Sequence, residues 1–227
     1  MSDSVAKKQL VVAAIGILAI VLAVRTFLLH RAANPERKAV AMHKHGGEMM
    51  AELAAKSFGG RKSVLLILPD EGKLDELRAR WMGEMAGACE SGISGITVEG
   101  RETLATMISR VSMASNRPTT FTLTVYRDFL KRHPGANAVV SFVGEPVPAA
   151  GEAVSSGEKF PPMICFSPTG GRVAEMMAQG VVAAAIVPRS GPTPPDKSGG
   201  DWFDILYETV TPETVAVWAK AVRHENR

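Results

Sequence analysis

Cysteine occurs only twice in 227 residues, and aromatic residues make up 6% of the chain. Two cysteines cannot build a disulfide framework. Cys89 falls in a predicted helix and Cys165 in a predicted strand, both in apolar surroundings, so two buried free thiols are expected. A disulfide or a reactive thiol is the alternative. So few aromatics provide no stacking platform for bases, and no dense Lys/Arg run is interleaved with them. The net charge of +3 is too small to imply nucleic acid. No G-x-G-x-x-G spacing and no P-loop Lys-Ser/Thr is present. No Cys/His/Asp cluster has metal-ligand spacing. None of the five histidines follows a strand as a Ser-His-Asp set on an α/β sheet requires. The expectation is a protein without cofactor, metal or catalytic set.

What is present begins with residues 9–29, QLVVAAIGILAIVLAVRTFLL. The run from Leu10 to Val24 is uncharged. Beyond Arg25, which can snorkel to an interface, Phe27 to Leu29 extend it to about the 20 positions that span a bilayer. Residues 10–29 are predicted to be a transmembrane anchor behind a short N-terminal tail. A cleaved signal peptide and a helix buried in the domain are the competing readings. The apolar region is long for a signal peptide, and no clean small-x-small site comes after it. No cysteine comes after it either, so a lipoprotein anchor is not supported. Charge leaves the orientation open: Lys7 and Lys8 flank one side, and Arg25, Arg31, Arg37, Lys38 and Lys44 the other. A short tail with Lys-Lys before the run is the pattern of a signal anchor that exports the downstream chain. A single-pass protein of the inner or plasma membrane, with its domain extracytoplasmic, is expected; the cytoplasmic orientation is the alternative.

Residues 30–60 read as a juxtamembrane helical spacer, started by Asn34-Pro35 and interrupted at Gly46-Gly47. Its pieces either stalk the domain or pack on it. His43 and His45 point apart on a helix, so they form no metal pair. Residues 61–227 read as a single α/β domain of about 165 residues, enough for a real core. It is organised around 62–70, KSVLLILPD, a short apolar run without alternation that reads as a strand buried on both faces. A helix over 73–91 comes next, with Leu74, Leu77, Trp81, Met85 and Ala88 on one face and Gly92 just past its end. Then come a strand at 95–99 and a helix at 101–114. Residues 120–132 carry both strand and helix signals, and helix is favoured. Strands are predicted at 137–143, 162–166 and 181–187, with a short helix at 172–179. The segment 147–160 reads as a flexible loop. A mixed edge strand at 203–210 and a last helix, with Val215, Trp218, Ala219 and Val222 inward, complete the order. This alternation predicts a three-layer, Rossmann-like open parallel sheet of about five or six strands.

Ligands in such sheets sit at the carboxyl ends of the strands. Asp70 and Glu71 come after the first strand and Glu145 after the strand at 137–143; Arg189 comes after the strand at 181–187. The turn Ser167-Pro168-Thr169-Gly170-Gly171-Arg172 could offer free N–H groups to an anion. The candidate ligand residues are therefore Asp70, Glu71, Glu145, Ser167, Thr169, Gly170, Gly171 and Arg189. A tight turn and solvated loop charges account for the same residues without a ligand.

The stretch VLLILPDEGKLDELRARWMGEMAGACESGI, with HPGANAVVSFVGEP and MAQGVVAAAIVPR further on, resembles the N-terminal lobe of type 1 periplasmic binding proteins. That is the sugar-binding family shared with LacI-type regulators. The resemblance covers roughly residues 62–189 and implies that Asp70, Glu71, Glu145 and Arg189 line a ligand-facing edge. A complete binding protein has two lobes, and this chain has room for one. The leading expectation is a non-catalytic, membrane-anchored interaction or assembly component of a cell-envelope complex, with a protein partner and no nucleic acid. A lobe that senses or binds a small polar or anionic ligand is the alternative, and an enzyme ranks third.

Overall fold

β1 spans Ser63–Leu68 and is buried from Val64 to Ile67, as its unbroken apolar run requires. The computed structural model describes residue 22 and residues 35–60, 63–70, 75–93, 95–111, 120–190 and 202–225. Around β1 lie β2 (Thr97–Thr103), β3 (Ala138–Ser141), β4 (Met163–Phe166), β5 (Val182–Pro188) and β6 (Tyr207–Val210). They form one sheet in the order β2-β1-β3-β4-β5-β6. The first five are parallel; β6 runs antiparallel to β5, an edge common on doubly wound sheets. The helices described are α1 (Pro35–Ser57), α2 (Glu76–Gly92), α3 (Leu104–Arg110), α4 (Leu123–Arg132), α5 (Val173–Ala178), α6 (Trp202–Leu206) and α7 (Val215–Glu225).

Strand side chains alternate, so each face of the sheet carries its own core. On one face Leu65, Ile67, Val139, Met163, Cys165 and Ala185 share a cluster with residues of α3, α4, α5 and α7. On the other, Val64, Leu66, Val140, Ile164, Ala184 and Ile186 share one with α1, α2 and Phe203 of α6. This is the three-layer arrangement.

The chain divides into two units, 1–41 and 42–227. Of the first, Leu22 and the opening turns of α1 are described, and Leu22 is exposed. No helix among the described residues is long and apolar enough to cross a membrane; the anchor predicted at 10–29 lies outside the described residues except for Leu22. In the second unit, Met50, Ala51, Leu53, Ala54 and Phe58 are core residues, so the later part of the expected spacer packs on the sheet.

Gly46 and Gly47 do not interrupt α1, which is one helix of 23 residues. A Cβ on Gly46 would stand 2.4 Å from the Phe203 ring, and one on Gly47 would stand 2.1 Å from the Met85 carbonyl oxygen. Each helical glycine costs about 1 kcal/mol relative to alanine. Here the missing side chains let α1 lie against α2 and α6. Gly92 belongs to the same contact: it is the last residue of α2 rather than the position after it, and its Cβ would stand 2.7 Å from that of Ala51. α2 begins behind Asp75, whose Oδ1 accepts the Arg78 N–H at 2.8 Å.

β2 runs later than predicted, and α3 is correspondingly shorter. Gly100 and Arg101, expected beyond the strand, lie inside β2 opposite Leu65 and Leu66. The register slips between Val98 and Gly100, so Glu99 is the extra residue of a bulge. A polar sequence suffices because β2 is an edge, and charge with a bulge is how edges avoid pairing further.

The helix signal at 120–132 wins over 123–132, capped by Thr122, whose Oγ1 accepts the Val125 N–H at 3.3 Å. The strand signal survives as a parallel bridge between Thr122 and Val147. The crossover from β3 to β4, expected to be flexible, is strapped to α4. Arg127 donates to both oxygens of Glu158, at 2.7 and 2.8 Å, and to the Ala153 carbonyl at 2.7 Å. Glu152 accepts the Thr124 N–H at 3.0 Å. Val154 and Phe160 pack against the core beneath. At the other edge, the strand predicted at 203–210 is reduced to β6, because residues 202–206 coil into α6 and bury Phe203.

Candidate functional site at the carboxyl edge of the sheet

The strand order reverses direction between β1 and β3, the switch point at which connections diverge and open a crevice. Asp70 stands two residues beyond β1, partly buried. Glu71 lies outside the described residues. Beyond β3 the chain turns sharply. Ser141 Oγ donates to the Gly144 carbonyl at 2.6 Å, and Gly144 takes a φ of 87°, a left-handed value that suits glycine.

The structure brings Glu145 together with the Ser167–Arg172 turn, but in a role that the sequence hides. Glu145 is 6% exposed, and its Oε1 accepts the backbone N–H of Arg172 at 2.7 Å. The negative charge that this turn was predicted to take from a ligand is supplied by the chain's own carboxylate. Gly171 allows the approach: a Cβ there would stand 3.2 Å from Glu145 Oε1. Gly170 has a φ of 64° and lies under Trp218, which a Cβ would meet at 2.7 Å. Ser167 is buried, with its N–H on the Ile186 carbonyl, and Thr169 is exposed.

Arg189 does not join this group. Its Nη2 donates to the carbonyls of Asp204 and Tyr207 at 2.7 and 3.0 Å, and its Nε to that of Asp204 at 3.0 Å. Glu208 lies 3.8 Å from Nη1. The guanidinium ties α6 and β6 to the end of β5. The edge residues thus fall into two sets: Glu145, Ser167, Gly170 and Gly171 converge, while Arg189 is turned into the β5–β6 corner.

A charged cluster that the sequence reading missed lies on edge strand β2. Glu102 is 8% exposed and faces the α3–α4 layer. Its Oε1 meets Arg110 Nη1 at 2.8 Å, Arg132 Nη1 at 2.7 Å and His133 Nε2 at 2.9 Å. Burial pushes the Glu102 carboxyl up, but the hydrogen bonds from Arg132 and His133, with the charges of Arg132 and Arg110, outweigh it and hold the group below its ordinary value. His133 also closes α4 through its backbone N–H, which donates to the Leu130 carbonyl.

The two thiols lie in different layers and are free. Burial, with the neighbouring charge of Glu90, pushes Cys89 up to about 12; burial, with Glu145, pushes Cys165 well above its ordinary value. His43 stacks on Trp81, and His45 sits 3.7 Å from both Glu48 and Asp204. No group of three metal-ligating side chains converges among the described residues. Among the described residues, an open groove of about 790 Å³ runs along the outside of the α1–α2 contact beside Lys44, Arg80, Gly83 and Gly87, and one of about 260 Å³ lies between β6 and α7.

No family model matches the chain, and no curated protein matches it. Solved structures do. The ABC transporter solute-binding protein from Burkholderia graminis C4D1M, in complex with D-arabinose, is 17% identical with a TM-score of 0.50, over 76% of this chain and 61% of that one. The periplasmic ribose ABC transporter from Conexibacter woesei DSM 14684 is 14% identical with a TM-score of 0.48, over 77% and 59%. A putative LacI transcriptional regulator from Bacteroides fragilis is 9% identical with a TM-score of 0.47, over 78% and 62%. The chain therefore spans about three fifths of the length of the structures it resembles. Its mostly parallel sheet shares its fold with part of the Burkholderia graminis solute-binding protein.

Proposed function

We propose that this chain is a non-catalytic recognition lobe that binds a small polar ligand at the carboxyl edge of its sheet. It is held at the membrane by residues 10–29 with the lobe on the extracytoplasmic side. The observation that carries the ligand reading is the reversal of strand order between β1 and β3; Ile67 pairs with Ser141 there, so the segments bearing Asp70 and Gly144 leave the sheet from neighbouring strands. A carboxylate offers about four lone-pair positions, so Asp70 can accept from ligand hydroxyls while keeping a partner within the chain. Glu145 fixes the turn that forms the neighbouring wall. The D-arabinose bound to the Burkholderia graminis protein makes pentoses the first class to test.

The test is a thermal-shift screen of pentoses, hexoses and small anions on the full chain. A ligand at a hundred times its Kd adds about 2.7 kcal/mol of stability, an easily read rise in Tm. Asp70→Asn should abolish that rise. A screen without any rise, or a rise indifferent to Asp70→Asn, refutes the reading.

A second reading, an assembly component of an envelope complex, draws on one specific feature. Glu145 and Arg189 are both engaged within the chain, so the edge offers fewer charged groups to a small ligand than its sequence implies. Cross-linking in native membranes followed by size analysis tests it; recovery of the monomer alone counts against it.

A further inference from the structure

The outer edge of β6 and α7 beside it border a groove at one end of the sheet. β6 is the last strand of the sheet and pairs only with β5 among the described residues. The Arg189 N–H donates to the Leu206 carbonyl at 2.9 Å, so these two residues form a hydrogen-bonded pair of the antiparallel ladder. Along the register, Val187–Glu208 and Ala185–Val210 are then bonded pairs, while Pro188–Tyr207 and Ile186–Thr209 are not. The backbone groups of Tyr207 and Thr209 consequently point away from β5. Arg189 takes the Tyr207 carbonyl. The N–H and C=O of Thr209 face outward as one donor and one acceptor of an open edge.

α7 runs alongside. Thr209, Thr214, Val217 and Trp218 line the groove of about 260 Å³ between strand and helix. Val217 is 73% exposed and stands at the rim of this groove. Trp218 gives the groove a fixed wall, because its indole N–H donates to the Pro188 carbonyl at 3.2 Å. Among the described residues, the charged groups lining the groove are Glu208 and Glu213; one Glu208 oxygen accepts the Ser190 N–H at 2.6 Å, and Arg189, behind the groove, lies 3.8 Å from the other.

We propose that this groove receives an extended, basic segment of a partner protein, which adds a seventh strand to the sheet along β6. Its apolar side chain lies against Val217 and Trp218, and flanking Lys or Arg side chains reach Glu208 and Glu213. The open strand edge selects an extended chain over a helix, because only an extended backbone can meet both groups of Thr209. The acidic rim selects a basic one. A second copy of this chain fits poorly: antiparallel pairing of two β6 edges would bring the carboxylates of both copies to one seam.

The test titrates the full chain, in detergent, into a fluorescein-labelled Lys-Val-Lys-Val-Lys-Val peptide, with the Glu-Val counterpart as control. A saturable rise in anisotropy with the basic peptide, weakened by salt and absent with the acidic one, is expected. Val217→Glu alters an exposed position, and Thr209→Pro removes the outward N–H while leaving the ladder to β5 intact. Each should weaken binding at least about tenfold, and peptide binding should slow hydrogen exchange at the Thr209 amide. The proposal is overturned by no binding up to about 1 mM peptide, by equal binding of the acidic peptide, or by affinity that neither variant changes. Self-association of the chain that Thr209→Pro abolishes would assign the edge to a second copy and overturn it equally.

Discussion

Gly47 lies so close to Met85 that any Cβ would overlap the Met85 carbonyl oxygen at 2.1 Å. The obstacle is backbone, so α1 and α2 would have to separate. Gly83 and Gly87, on the outward side of α2, have nothing within 4 Å of a Cβ. Gly47→Ala should therefore destabilise by about 2 kcal/mol or more, whereas Gly87→Ala should stabilise by about 0.5–1 kcal/mol through helix propensity. Paired urea melts check the contrast; equal effects at the two positions would refute the close-packing role of Gly47.

Glu102 should shape the acid limb of stability. Its folded pKa lies below the unfolded value, so its contribution is fully present above the ordinary carboxylate range near 4.5 and is lost as pH falls through the folded value. Glu102→Gln should lower stability at neutral pH and flatten the decline below about pH 4.5. Unfolding free energies measured between pH 3 and 7, on the order of that window, give the comparison. An unchanged slope in the variant would mean that the cluster contributes nothing to acid sensitivity.

Tyr126 is fully buried, and its hydroxyl meets no hydrogen-bond partner among the described residues, while its ring stacks on Phe160 with centroids 5.6 Å apart. Leaving a buried donor unmet costs about 1–3 kcal/mol. Tyr126→Phe keeps the ring contacts and should raise stability by about 1 kcal/mol. A loss of stability on that change would mean that the hydroxyl is satisfied by water.

Cys89 and Cys165 are both buried, with thiol pKa values raised by desolvation. A thiolate is the reactive form, so neither should react with a thiol-specific disulfide reagent at pH 8, on the order of one unit below the usual thiol range. Both should react once the chain is unfolded in guanidinium. Fast modification of the native protein would contradict the burial of these two side chains.

Elements whose own residues carry the signal were legible in the sequence. β1 announces itself by an unbroken apolar run, and α7 by Val215, Trp218, Ala219 and Val222 on one stripe. The resemblance to a sugar-binding lobe rested on such local texture, and the fold bears it out. What escaped depends on partners distant along the chain. Gly46-Gly47 looks like a helix breaker until Met85 and Phe203 arrive on its other side. Arg189 looks like a ligand arginine because nothing local says that the carbonyls of Asp204 and Tyr207 will fold over it. Glu145 lies 27 positions before the N–H that it accepts, so the turn at Ser167–Arg172 seemed to want an outside anion. Glu102 sits in a polar stretch that reads as the start of a helix, and Arg132 and His133 join it only through α4 and its cap.

The layer that covers Val140, Ile164, Ala184 and Ile186 on one face is supplied in part by α1, a helix that precedes every strand. During synthesis α1 leaves the ribosome before every strand, yet much of its seat is made by β3, β4 and β5, which emerge much later. Its apolar stripe of Met50, Leu53 and Ala54, with Phe58 just past its end, must wait without its full cover, a long-range closure of the kind that slows folding and favours chaperone capture.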